Sequence, residues 1–343
     1  MKKVFCFFLA FTLLLTLGCR SVDERGEDPK SRIVIYTSMY QYAIEAVWMD
    51  MQRHFPDTII EFVYGGSAVI EEKIRMEKAS GRLGADILMV ADPAYSLELK
   101  ELNILHPFRS REAANLAFDY DPDGYWYPVR VSNMVLAFNP ERFNKDNIPN
   151  SFYDFANNAS VRGAVSMRNP IVSGTTFAAI AALNDKYGSV YFDALGNQHP
   201  MIDYGADEAI AKLERGETRV AMILEESILR ARELHNSPLE IIFPTDGTVV
   251  IPSTIAIINE KWSANRNAMA AEAVADWFLS REGQNAIVDE WMHSVRSDFR
   301  RNPSGSIFMN EILANSIPVN WENILRHRQD IQTLFEVNVA ARR

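Results

Sequence analysis

Cysteine is nearly absent from this 343-residue chain: Cys6 and Cys19 are the two it has, and both lie close to its N-terminus. After Cys19 no thiol is available for a disulfide, a nucleophile or a thiolate metal site. Six histidines are present, but no pair has helical metal-ligand spacing, and the HExxH, GxSxG and Walker motifs are missing. We therefore predict no enzymatic activity and no cofactor.

Positive charge and long apolar runs are also scarce. The net charge of −10 makes nucleic acid an unfavourable partner. After the N-terminus no apolar stretch approaches the roughly 20 residues that a membrane-spanning helix needs. With 343 residues, of which 48% are hydrophobic, the chain is large enough for two domains. We expect a monomer whose partner is a small molecule.

The N-terminus has the features of an export signal. Lys2 and Lys3 precede an apolar run from Val4 to Leu17, which ends at Gly18-Cys19. The cysteine after a small residue resembles a bacterial lipobox, although Thr16 and Leu17 depart from its common pattern. We predict a lipoprotein signal over residues 1–18 and lipidation of Cys19. An ordinary signal peptide that ends near a cysteine is the alternative.

The segment that follows, residues 19–32, is polar and predicts a flexible tether between the lipid and a folded domain. The expected location is the periplasm or the cell surface, with membrane contact through the lipid at Cys19.

From Ile33 onward, strands alternate with helices, which is typical of an α/β fold. We predict two α/β lobes, with the second inserted into the first and a hinge between them. Lobe 1 takes residues 33–137 plus 249–343, and lobe 2 takes residues 138–248. A ligand is expected in the cleft between the lobes, at the carboxyl ends of the strands.

Eight short motifs follow one another along the chain, at residues 35–38, 66–67, 85–95, 123–126, 129–132, 173–176, 247–253 and 278–284. In these motifs and their order, the chain resembles the type 2 extracytoplasmic solute-binding proteins of ABC transporters, and within them the subgroup that binds ferric iron, phosphonates and sugar phosphates. The resemblance implies capture of a small solute and delivery to a membrane permease.

Helix N-termini attract anions because their N–H groups are free and carry partial positive charge. Three predicted helices begin with hydroxyl residues. The end at Ser173-Gly174-Thr175-Thr176 has no acid until Asp185 and ranks first. Thr37-Ser38 ranks second, and Ser67 ranks third because Glu71 and Glu72 follow it closely. The alternative is that each hydroxyl only caps its own helix.

Charged residues near these ends are the remaining candidates. Arg130 lies in an apolar strand, so we expect it either to clamp an anion or to form a salt bridge to an acid such as Asp92. We also include Asp92 in the predicted site. Glu225 is expected to select the neutral or cationic part of the solute, or else to stabilise its own helix dipole. Tyr204 is a predicted wall of the second lobe.

We interpret the chain as the lipid-anchored binding component of an ABC importer for a small anionic solute, by preference a phosphorylated compound or a phosphonate. Ferric iron held with a second anion is the first alternative, although the adjacent tyrosines common in iron-binding relatives are absent. A sensor that signals to a membrane protein is the second.

Overall fold

The computed structural model describes residues 31–342. The predicted signal, most of the tether and Cys19 lie outside the described residues. The strands are β1 (Ser31–Thr37), β2 (Thr58–Tyr64), β3 (Ile87–Val90), β4 (Leu105–His106), β5 (Trp126–Phe138), β6 (Val165–Arg168), β7 (Met201–Asp203), β8 (Val220–Leu224), β9 (Glu240–Ile242), β10 (Thr248–Ile258) and β11 (Ser316–Ile317).

Helices fill most of the connections between these strands. They are α1 (Gln41–His54), α2 (Ser67–Ala79), α3 (Pro93–Glu101), α4 (Phe152–Asn157), α5 (Gly174–Tyr187), α6 (Val190–Asn197), α7 (Ala206–Arg215), α8 (Glu225–His235), α9 (Ala268–Leu279), α10 (Arg281–Asp289), α11 (Met309–Ala314) and α12 (Trp321–Asn338). In the part of the chain described here, no helix is both long and apolar enough to cross a membrane.

The strands form one sheet in the order β2-β1-β3-β10-β5-β8-β6-β7, with the short strands β4 and β11 beside β10 and β9 beside β5. At one end β2, β1 and β3 are parallel, and at the other β8, β6 and β7 are parallel. We call these two ends, with the helices packed on them, the first and second lobes. Parallel strands need crossover helices, which explains the alternation seen in the sequence.

Two long strands carry the chain between the lobes. Residues 254–257 of β10 pair with β3 of the first lobe, and residues 134–137 of β5 pair with β8 of the second. Strands β5 and β10 also pair with each other, along residues 126–134 and 249–256, with a bulge at Ser253/Thr254. This arrangement confirms the predicted α/β class with two lobes and two connecting strands. The predicted lobe boundaries fall at the ends of β5 and β10 and stay predictions.

Separate hydrophobic cores lie under the two lobes. The core of the first lobe packs α1, α9 and α10 against β1, β3 and β10. The core of the second lobe is built around Phe152, Phe177 and Phe192. Helix α12 adds Ile324 and Phe335 to this second core, although the predicted lobe 1 includes residues 249–343. The C-terminal helix therefore contributes packing to the second lobe.

The turns that leave the parallel strands position the candidate site. Strands β1 and β2 end at Thr37 and Tyr64, just before α1 and α2, and β6 ends at Arg168, just before α5. The β2-β1-β3 set runs in the opposite direction to the β8-β6-β7 set, because β10 and β5 are antiparallel to their neighbours. The carboxyl ends of the two sets therefore point toward each other, and the N-termini of α2 and α5 can face one cleft. The prediction that ligands bind at carboxyl ends of strands relies on this geometry.

Candidate functional site

A small cavity lies where the N-termini of α2 and α5 meet. Its volume is about 40 Å³. Of the predicted site residues, six line it: Ser38, Ser67, Arg130, Ser173, Gly174 and Thr175. The other lining residues are Tyr40, Tyr64, Gly66, Ala91, Arg168, Val172 and Leu224. We call this space the narrow cavity.

The α5 end is built by its own hydroxyl groups. Ser173 is the N-cap, and its Oγ accepts a hydrogen bond from the Thr176 N–H at 3.3 Å. The same Oγ lies 3.2 Å from Oγ1 of Thr175 and 3.0 Å from Oγ1 of Thr176. The first turn of α5 carries no acidic residue. The predicted capping role and an exposed positive end are therefore both present at one helix terminus.

The α2 end is more positive than its sequence suggests. The N-cap is Gly66, which offers no side chain to the free N–H groups, and the first turn has no acid. Glu71 follows, but burial, together with the neighbouring Asp92 carboxylate, raises its pKa to about 8. A protonated Glu71 does not cancel the helix dipole at neutral pH. The prediction that ranks Ser67 third rests on Glu71 and Glu72, and of these Glu72, whose pKa is lowered by its hydrogen bond with Arg75, keeps its charge.

Two glycines allow the helix ends to approach each other. A Cβ on Gly174 would lie 2.6 Å from Oγ of Ser67, and a Cβ on Gly66 would lie 2.9 Å from the Val172 carbonyl oxygen. Side chains at these positions would hold the α2 and α5 ends apart. Two positive helix termini, one from each lobe, therefore share one cavity.

Arg130 brings a full positive charge to the narrow cavity. Arg130 is 3% exposed. Its guanidinium Nη1 donates to Ser132 Oγ at 3.3 Å and contacts Met292 Sδ at 3.4 Å. Within residues 31–342 it forms no ion pair. Burial lowers the pKa of Arg130, and the Glu226 carboxylate opposes this effect. A buried cation without a direct counter-charge is costly unless an anion joins it.

Glu226 approaches Arg130 indirectly. Ser132 Oγ donates to Glu226 Oε1 at 2.7 Å, so the hydroxyl stands between the carboxylate and the guanidinium. Burial raises the pKa of Glu226 to about 7, while the hydrogen bond from Ser132 and the charge of Arg130 lower it. Near neutral pH this carboxyl therefore neutralises Arg130 only in part.

Arg168 is a second cation of the site, and the sequence analysis missed it. It ends strand β6 and lines the narrow cavity. Its Nε is buried without a hydrogen-bond partner, and none of its atoms takes part in an ion pair within residues 31–342. Its place at the end of a strand, five residues before Ser173, is a signal that could have found it.

A wider cavity of about 300 Å³ continues from the narrow one, because Tyr40, Tyr64 and Arg168 line both. The rings of Tyr40 and Tyr42 are stacked with centroids 5.3 Å apart. The remaining lining residues are Gln41, Tyr204, Gly205, Ala206, Asp207, Ile210, Ser227 and Arg230. The predicted wall residue Tyr204 lines this wide cavity and is 79% exposed.

Two predicted hydroxyl residues lie behind the cavity lining. Thr37 is fully buried, and its Oγ1 accepts from the Met39 N–H at 3.0 Å. Thr176 is 1% exposed and bonds to Ser173. Both side chains therefore fix the turns that carry the lining residues Ser38 and Ser173.

Two predicted acids are engaged elsewhere. Asp92 accepts from the Tyr95 N–H at 3.2 Å and from Arg328 Nη2 at 2.6 Å, so it caps α3 and pairs with α12 instead of with Arg130. Glu225 accepts from Asn133 Nδ2 at 2.8 Å and lies 3.0 Å from His293 Nε2. Neither acid lines the narrow or the wide cavity.

A larger depression of about 700 Å³ lies away from these residues. Two of its ion pairs are His54 with Glu282 at 3.4 Å and Arg281 with Asp298 at 2.7 Å. Its other arginines, Arg109 and Arg111, are exposed to water. The cavities at the two helix ends are smaller, but their unpaired cations Arg130 and Arg168 are buried or half-buried. Chemistry therefore favours them as the binding site.

Comparisons with known proteins agree with this architecture. Residues 84–305 match the family of bacterial extracellular solute-binding proteins, and the chain belongs to this family. The family consists of proteins that bind solutes outside the cytoplasm. No curated protein sequence matches the chain.

Solved structures show the same fold at low sequence identity. The periplasmic binding protein AfuA from Actinobacillus pleuropneumoniae, with fructose-6-phosphate bound, is 22% identical over 91% of this chain and 99% of its own, with a TM-score of 0.79. Iron-bound HitA from Pseudomonas aeruginosa is 18% identical over 90% and 99%, with a TM-score of 0.78. The ferric binding protein from Campylobacter jejuni is 19% identical over 89% and 99%, with a TM-score of 0.74.

Proposed function

We propose that this protein is the solute-binding component of an ABC importer and captures a small solute through a phosphoryl or phosphonate group. One observation carries the proposal: Arg130 is buried without a carboxylate partner beside two helix N-termini. The similar structure with bound fructose-6-phosphate supports the same class of ligand.

The geometry suggests how an anion is held. A phosphoryl group in the narrow cavity would accept hydrogen bonds from the hydroxyls of Ser38, Ser67 and Ser173 and from N–H groups at the two helix ends. Arg130 and Arg168 would supply charge-assisted hydrogen bonds. A bound anion would also offset the mutual repulsion of two positive helix ends.

Capture and transport require a conformational change. The α2 end with Gly66 and Ser67 belongs to the first lobe, and the α5 end with Ser173 and Gly174 belongs to the second. The anion would therefore make all of its contacts only when the two lobes are closed. Hinge bending along β5 and β10 would open and close the cleft. A membrane permease would then recognise the closed form. Lipidation of Cys19 would keep the protein at the membrane.

Ferric iron with a bound anion is the second candidate. Tyr40, Tyr42, Tyr64 and Tyr204 line the wide cavity, and phenolates suit ferric iron. One observation counts against it. Burial raises the pKa of Tyr40 and of Tyr42, which opposes phenolate formation.

A thermal-shift screen of phosphate esters, phosphonates and ferric complexes tests the proposal, because a ligand that binds only the folded state raises the melting temperature. We expect phosphate esters or phosphonates to stabilise the protein. Stabilisation by ferric complexes alone, with a visible tyrosinate absorption band, would establish the iron alternative instead.

A further inference from the structure

Arg230 lies in the wide cavity, away from the anion that we place in the narrow cavity. It lies on α8 and lines the wide cavity but not the narrow one. Its Nε is buried and has no hydrogen-bond partner. Its nearest acid is Asp207, whose carboxylate lies 3.9 Å away and is 94% exposed, so this pair is weak.

The aromatic residues beside Arg230 fix its orientation. Its guanidinium carbon lies 4.2 Å from the centre of the Tyr42 ring, and the Tyr42 ring stacks on Tyr40. Trp291 packs edge-on against Tyr42 with ring centroids 6.4 Å apart. A guanidinium that stacks on a ring still has its N–H donors in its own plane, free for a planar acidic group. The stack therefore prepares Arg230 to bind an anion at little entropic cost.

The acidic residues near Arg230 leave its guanidinium available to bind an anionic group of a ligand. Glu290 is the other acid that interacts with it electrostatically, and burial raises the pKa of Glu290. Asp207 faces it from α7 but is well solvated. Together with Arg130 and Arg168, Arg230 gives the connected cavities three guanidinium groups that lack a close carboxylate partner.

The two cavities differ in volume, and each suits a different part of a ligand. The narrow cavity of about 40 Å³ suits a single phosphoryl group, whereas the wide cavity of about 300 Å³ reaches the lower limit of ordinary small-molecule sites. Arg168 lies at their junction and Arg230 lines the wide cavity alone. A solute that fills both therefore places part of its body beside Arg230.

We propose that the solute carries two acidic groups: a phosphoryl group in the narrow cavity and a second anionic group, carboxylate or phosphate, at Arg230. This inference rests on the proposed function, since it assumes that the first group is a phosphoryl or phosphonate. The ligand class is a phosphate ester or phosphonate that also carries a carboxylate or a second phosphate.

Calorimetric titration of the protein with matched ligands tests this. One pair is the open-chain glucitol 6-phosphate and 6-phosphogluconate, which has a carboxylate at C1 in place of the hydroxymethyl group. The other pair is fructose 6-phosphate and fructose 1,6-bisphosphate, which adds a phosphate. We expect at least one doubly acidic ligand to bind about tenfold or more tightly than its partner, the size of one charge-assisted hydrogen bond. The pair that shows the difference identifies the second group.

The variant Arg230→Met keeps an apolar stem on Tyr42 and removes the charge. We expect it to reduce the affinity ratio between the two ligands of that pair to about 1, while Arg232→Met, at an exposed position on the same helix, preserves the ratio. Equal binding of both ligands in each pair by the unmodified protein would overturn the inference and leave the proposed function standing. So would an unchanged ratio in Arg230→Met. Failure of every phosphate ester and every phosphonate to bind, in this titration and in the thermal-shift screen, would overturn both.

Discussion

Gly174 and Ser67 approach so closely that a Cβ on Gly174 would lie 2.6 Å from the Ser67 hydroxyl oxygen and 2.8 Å from its Cβ. The two residues start helices of opposite lobes. The absence of a side chain at Gly174 thus sets how near the two positive helix ends can come. Their separation in turn determines whether one anion can contact both.

Substitution of Gly174 by alanine tests this dependence. We expect Gly174→Ala to weaken binding of a phosphate ester about tenfold or more, because the methyl group holds the helix ends apart. The control is Gly205→Ala, which adds the same methyl group to the wide cavity where no atom lies within 4 Å. Calorimetry measures both affinities. Equal affinity of the two variants would show that contact between the helix ends is not needed.

Arg130 is expected to contribute to binding and not to folding. Replacing a buried, unpaired arginine by an apolar residue is often neutral or stabilising. At pH 6, where Glu226 with its pKa of about 7 is mostly protonated, Arg130→Met should therefore melt at or above the temperature of the unmodified protein. Its affinity for a phosphate ester should fall by about 10- to 100-fold. A large loss of stability with unchanged affinity would assign Arg130 a structural role.

Arg328 is expected to behave in the opposite way. Its Nη2 lies 2.6 Å from the carboxylate of Asp92, which is 2% exposed. Removing one partner of a buried pair leaves an uncompensated charge, so Arg328→Met should destabilise the protein by about 3 kcal/mol. Arg326→Met, which breaks an exposed pair with Glu322 on the same helix, should cost less than about 1 kcal/mol. Urea denaturation compares them, and equal losses would contradict the assignment.

Stability should decrease as the pH rises, and Glu71 is one cause. Its pKa is about 8 in the folded protein against 4.5 for the free side chain. The folded state therefore holds a proton that the unfolded state releases, and the stability from this group is lost between about pH 4.5 and pH 8. Glu226, with its pKa raised to about 7, adds a loss of the same sign.

We expect Glu71→Gln to match the unmodified protein at pH 4.5 and to exceed its stability at pH 8, with Tm higher by about 2–4 °C for each kcal/mol regained. The control is Glu72→Gln, since an exposed hydrogen bond with Arg75 lowers the pKa of Glu72. Scanning calorimetry across this range measures the effect. A Tm for Glu71→Gln that stays below that of the unmodified protein at pH 8 would contradict it.

The sequence was sufficient to predict six of the thirteen residues that line the narrow cavity. Ser38, Ser67 and the residues at 173–175 each follow a strand of one of the two parallel sets. The two sets run in opposite directions, so their carboxyl ends face one cleft. Asp92 follows β3 in the same way, but its partner Arg328 lies 236 residues later in the chain. A contact at that separation leaves no local pattern.

The acids and arginines were harder to place. Glu225 and Glu226 are adjacent on α8, where successive side chains point about 100° apart. One reaches His293 and the other reaches Ser132, and the pattern of a short helix does not reveal which. Arg230 resembles any partly exposed helix residue until its contact with Tyr42 is known. Such residues acquire their role from neighbours brought together by folding.

The most direct test is a crystal structure of the protein grown with fructose 6-phosphate. We expect phosphoryl oxygens within hydrogen-bonding distance of the Ser67 and Thr175 N–H groups and of the Arg130 guanidinium. A phosphoryl group bound away from the α2 and α5 ends, or ferric iron held by the tyrosines of the wide cavity with no anion between the helix ends, would contradict it.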